Sequence, residues 1–173
     1  MPFDATHNFD GISWLNQEFA FAGIDFRDER LQPVFTFALI WNLVEKKACG
    51  RYANERAIRN SVDKADNEDR LQLANYLQYM DYFRRRYLED HTIEYLYQRL
   101  NFRNNNQRDA VRRAFEHELN DINNIVYALL LIAYRIRNNL FHGEKELHLL
   151  YQQEELFRVI NNLLTDYLND INA

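Results

Sequence analysis

Between Val34 and Ala173 the sequence contains no proline and only two glycines, Gly50 and Gly143. Some 140 residues are therefore almost without the usual turn formers, which argues against strands joined by tight turns and for helices. The single cysteine, Cys49, excludes an intramolecular disulfide and any cysteine-built zinc site. Serine is scarce too: Ser13 and Ser61 stand in no nucleophile-elbow pattern, and Cys49 has no histidine near it in sequence. With no glycine-rich phosphate loop, ATP or dinucleotide binding of the usual kinds is unsupported, and no cofactor is expected. The longest uncharged apolar-rich run, Ile125 to Tyr134, is far short of the roughly 20 residues that cross a bilayer. Residues 1–20 lack the basic start and apolar run of a signal peptide, so a cytoplasmic protein with no membrane partner is expected. Twenty-one basic against twenty-six acidic side chains leave a net charge of -5, so any anion site must be local.

Apolar residues recur at helical spacing instead of alternating. A first segment, about 33–48, carries Phe37, Ile40, Trp41, Val44 and Ala48 on one stripe, with Pro33 in its first turn and Gly50 just beyond its end. A second, about 67–88, opens on the acidic "DNED" and is expected to bury Leu73, Leu77, Met80 and Tyr87. Val111, Phe115, Leu119, Ile122, Val126, Leu129, Ala133, Ile136 and Leu140 step by three or four without a break, which predicts one helix over about 107–140. The last segment, about 151–170, runs on Leu156, Ile160, Leu163, Tyr167 and Ile171. Shorter helical pieces are expected at 52–63 and 92–102, with a turn at the asparagines 104–106. Residues 1–30 read as an arm or short helix packed on a bundle that spans 31–173, in a single domain overall. The expected fold is all-α, a bundle of four to six helices.

Chemistry concentrates where the long apolar stripe runs out, in "YRIRNNLFHGEK" at 134–145. On a continuing helix Arg137 and His142 would lie about 140° apart and could not meet. Gly143 is the residue type that closes a helix in the left-handed conformation, so a turn near Leu140 or Phe141 would let His142 swing back toward Arg137. Arg137 lies about 60° around from Leu140, at the margin of the buried stripe, and is expected to emerge at a seam between helices or subunits. A guanidinium fork matches phosphate oxygens, and an imidazole moves protons at neutral pH; together they suit metal-free cleavage of RNA. One histidine serves one proton transfer at a time, so a two-fold dimer would supply both the base and the acid.

At these residues the sequence resembles the HEPN domain family. "RNNLFH", Arg137 to His142, matches that family's R-x4-6-H signature, including the polar residue after the arginine, here Asn138. A long helix leading into "RN-x-x-FHG", a short acidic-basic connection and a final amphipathic helix are similar to the C-terminal half of the fold, and "FALIWNLVEKK" to its early helix. The likeness covers about 33–170. It implies a helical bundle, often homodimeric, frequently a metal-independent ribonuclease in defence, toxin-antitoxin or stress systems, with a cognate antitoxin or regulatory protein as a further expected partner. Carried over, Arg137 would hold the scissile phosphate, His142 would be the acid-base group and Asn138 would orient one of them. Toxins silenced by a partner nucleotidyltransferase have a tyrosine two positions after the histidine, where this chain has Glu144. Other members of the family keep the fold and only bind nucleotides or partners.

A second basic feature bears on substrate. Arg99, Arg103, Arg108, Arg112 and Arg113 face a single nearby acid, Asp109, and "YFRRRY" at 82–87 sets three more arginines among aromatics. Arginine interleaved with tyrosine and phenylalanine is what a single-stranded RNA groove uses, through phosphate contacts and base stacking. Tyr76, Tyr79 and Phe83 are expected in the core. "HELND" at 117–121 lacks the second histidine of a metal-binding helix, and no metal is expected. Asn42 and Glu45 are polar positions on the apolar first helix that either face the cleft or find partners inside the bundle.

Overall fold

The structure, a computed structural model, describes residues 10–102, 104–116, 121–141 and 147–172. Among these the fold is all-helical, with eight α-helices: α1 (Gly11–Glu18), α2 (Gln32–Lys47), α3 (Glu55–Asn67), α4 (Leu73–Leu88), α5 (Ile93–Arg99), α6 (Asn105–Glu116), α7 (Ile122–Phe141) and α8 (Glu154–Asn172). Short 3-10 helices lie at Ala20–Ala22, Glu29–Leu31 and Leu147–Gln153, the last of seven residues. The all-α bundle agrees with the periodicity, and the helix number exceeds the expected four to six for two reasons. The early residues contribute α1, and the stretch expected to be one rod is two helices.

α6 and α7 pack on each other, which a continuous rod could not do. Nothing in the apolar spacing marks the division, because Leu119 and Ile122 keep the stride. The signal was polar: Asp121 caps α7, its Oδ1 accepting the Asn124 N–H at 3.1 Å, in the manner of a short side chain at a helix start. The acidic "DNED" corrects in the opposite sense. It closes α3 instead of opening the next helix: the Arg70 N–H donates to the Ala65 carbonyl at 3.0 Å across Asp69, whose φ is +51°. Here an aspartate takes the left-handed position more usual for glycine, and Glu68 holds Arg70 at 2.9 Å.

α7 is the axis of the bundle. Ile125 to Ala133 are all buried, so this helix is apolar around its whole circumference and not along one stripe. α3, α4 and α6 pack around it, and α8 packs on α2 and α4. α2 buries Phe37, Trp41 and Val44; Phe37 meets Phe157 of α8 at 5.3 Å, and Trp41 stacks on Tyr134 of α7 at 6.1 Å. α4 buries Tyr76, Tyr79, Met80, Phe83 and Tyr87, a face turned slightly from the expected one, so Leu73 and Leu77 are only half-buried. The expected core tyrosines are bound at their hydroxyls: Tyr76 donates to Asp170 at 2.5 Å and Tyr79 to Asp166. Residues 10–31 fold onto the bundle through Ile24, Phe26 and Leu31, with the Asp25 N–H donating to the Tyr151 hydroxyl at 2.5 Å and Arg30 over the Tyr151 ring. Among the described residues no helix is long and apolar enough to cross a membrane.

Candidate functional site

Packing of Trp41 on Tyr134 brings the C-terminal turns of α2 and α7 side by side, and one helical turn further along each lie Glu45 and Arg137. Arg137 emerges at this seam, its side chain 29% exposed, with Nη2 3.8 Å from Glu45 Oε1. Its Nη1 donates to Asn138 Oδ1 at 3.2 Å. Glu45 is itself tied down, accepting the Ala53 N–H at 3.4 Å, while Asn42 is exposed and reaches only the Ala38 carbonyl. Arg137 and Asn138 are thus adjoined and reachable from solvent, with Arg137 at the seam its spacing from Leu140 indicates. His142, Gly143 and Glu144 lie outside the described residues, as do His117 and Arg103.

Two residues upstream, Arg135 has a different environment. It is 4% exposed, and its Nε donates at 3.0 Å to the Leu100 carbonyl, tying the end of α5 to the axial helix. Nothing in its spacing distinguishes it in sequence from the other arginines. Asn139 is 5% exposed and reaches the Arg99 carbonyl from the same side of α7.

The other arginines divide by partner. Arg108 is committed to the Phe102 carbonyl, at 3.2 Å from Nε and 2.9 Å from Nη2. Arg112 pairs with Asp109 at 2.9 Å, Arg113 donates to the Asp109 carbonyl at 3.3 Å, and Arg84 donates to the Phe115 carbonyl at 2.7 Å. Arg99 and Arg86, from separate stretches of sequence, line one cavity. Burial pushes the Cys49 thiol up to about 11, which keeps it protonated and unreactive at neutral pH. Among the described residues no group of three histidine, cysteine, aspartate or glutamate side chains could hold a metal ion. Compared with known proteins, the chain matches no family model, no curated protein and no solved structure.

Proposed function

We propose that this protein is a metal-independent endoribonuclease of the HEPN type, acting on single-stranded RNA through Arg137, Asn138 and His142. The observation that carries the reading is a solvent-reachable guanidinium, steadied by Asn138 and Glu45, in the last turns of the helix that His142 follows in sequence. Arg137 binds the scissile phosphate and offsets the charge that builds on its oxygens. A His142 imidazole removes the proton of the 2'-hydroxyl, whose oxygen attacks phosphorus. The bond to the 5'-oxygen breaks, and that oxygen takes a proton from a second, protonated His142. The products are a 2',3'-cyclic phosphate and a 5'-hydroxyl, with no redox change and no metal required.

Two imidazoles in one cleft call for two copies of the chain. α2 offers a surface for this: Phe35, Leu39 and Leu43, spaced by four, are all exposed, Leu39 by 70%. An apolar row of this kind on the outside of a bundle is the usual mark of a partner face. Leu39→Asp is expected to convert a dimer to a monomer in size-exclusion chromatography with light scattering, with a helical circular-dichroism spectrum unchanged, and to depress RNA cleavage in parallel.

Glu45 favours a second reading. A carboxylate 3.8 Å from Arg137 competes with phosphate, as expected in a non-catalytic bundle that binds a nucleotide or a protein partner and uses Arg137 structurally. Incubation of the purified dimer with diverse single-stranded RNAs in EDTA separates the two. The nuclease reading predicts fragments ending in a cyclic phosphate and beginning with a 5'-hydroxyl. RNAs left whole across a range of pH favour the binding reading.

A further inference from the structure

On the side of α7 away from the Arg137 seam lies a cavity of about 620 Å³, within the range of roughly 300–1,000 Å³ that small-molecule sites occupy. Residues 137 and 139 are about 200° apart on a helix, so the axial helix separates this cavity from the proposed cleavage site. Its walls come from the end of α4, from α5, from Asn139 and from the turn that leads into α8. Two arginines, Arg86 and Arg99, line it, and among the described residues no carboxylate does. Among the described residues neither guanidinium has an acidic partner at ion-pair distance; Arg86 meets phenols, the Tyr82 hydroxyl at 3.4 Å and the neighbouring Tyr87, whose ring centroid lies 5.8 Å away. In a chain of net charge -5, two cations at one concavity with no carboxylate beside them among the described residues are a local departure that favours an anion.

The remaining lining is of a different kind. Tyr95 is half-buried, its ring already fixed against His91 at 3.9 Å, and it supplies a flat apolar surface. Gln98 and Gln152 carry side-chain amides, which pair with the edges of nucleobases. Asn139 closes the inner wall: it is 5% exposed, and its Nδ2 donates to the Arg99 carbonyl at 3.5 Å, which holds the end of α5 that carries Arg99 beside the axial helix.

We propose that this cavity binds a nucleoside phosphate, with the base against Tyr95 and the amides and the phosphate on Arg86 and Arg99. The ligand is either a free nucleotide or one unit of an RNA strand, since both present the same base and phosphate. The inference does not rest on cleavage at Arg137 and is tested in its absence. Isothermal titration calorimetry in EDTA, on full-length His142→Ala protein, uses adenosine 5'-monophosphate, a pentaribonucleotide and inorganic phosphate as separate probes. Expected is saturable binding of at least one nucleotide probe, tighter than phosphate alone. Arg99→Glu, at an exposed position that does not threaten folding, is expected to weaken it at least about tenfold, the loss of one charge-assisted contact. Arg86→Ala is expected to weaken it similarly, with circular dichroism confirming that each variant is folded. Monophosphate binding lost in Arg99→Glu identifies a free-nucleotide site; pentanucleotide binding alone, lost in the same variant, identifies a strand subsite. Failure of both nucleotide probes to bind, or binding indifferent to Arg99→Glu and Arg86→Ala, overturns the proposal.

Discussion

Arg137→Ala is expected to lower the rate of RNA cleavage by about 100-fold or more while changing stability little. Removal of one group that stabilises transition-state charge commonly costs about 2.7–4 kcal/mol of activation free energy, which is the basis of that figure. The stability side follows from the geometry at the seam. Arg137 is 29% exposed and its Glu45 partner is 3.8 Å away, so the ion pair is long, partly screened and worth about 1 kcal/mol or less. Glu45 keeps its hydrogen bond from the Ala53 N–H after the arginine is gone. Arg137→Lys preserves the charge but not the forked donor geometry, and is expected to recover only part of the lost rate. A single-turnover assay, with thermal unfolding of each variant alongside, reads both quantities.

Arg135→Ala is expected to do the opposite. This side chain is 4% exposed and donates to the Leu100 carbonyl, so truncation leaves a buried carbonyl short of its donor and opens a void against the axial helix. A charged hydrogen bond contributes about 1.5–3 kcal/mol, and the lost packing adds to it, giving a destabilisation of about 2–4 kcal/mol in urea unfolding. Cleavage per folded molecule is expected to stay within a few-fold of wild type. The two arginines, two residues apart, thus form an internal control. If Arg135→Ala proved as stable as wild type, the assignment of that residue to the framework would fail.

That contrast also shows how far the residues could be read before the fold was known. Phe37, Trp41 and Val44 repeat at helical spacing with Pro33 and Gly50 as bounds, and α2 follows them closely. Arg137 was legible as a marginal residue because Leu140 and Ile136 fix the orientation of the last turn. Arg135 was not, since it follows directly on the stretch Ile125–Ala133, which is buried on every side and has no polar face to set the phase from which burial of a charge could be inferred. The division between α6 and α7 was hidden by an unbroken apolar stride and announced only by Asp121, whose capping role is a local hydrogen bond. The end of α3 was hidden likewise, because Asp69 adopts the left-handed conformation without a glycine to advertise it. The cavity lined by Arg86, Arg99 and Asn139 joins three distant stretches of chain. Only tertiary packing brings them together, so no spacing rule could have found it.

The exposed row on α2 and the rim position of Arg137 are compatible parts of one proposal, in which two copies pool their motifs. The imidazole is the group on which that chemistry turns, because arginine alone can bind a phosphodiester but cannot move its protons. The most direct measurement is therefore the cleavage rate of a labelled single-stranded RNA by dimeric wild-type and His142→Ala protein, purified identically and assayed in EDTA. The account predicts cyclic-phosphate fragments from the wild type and none above background from a folded, dimeric His142→Ala variant. Equal cleavage by the two proteins, or intact RNA with both, would contradict it.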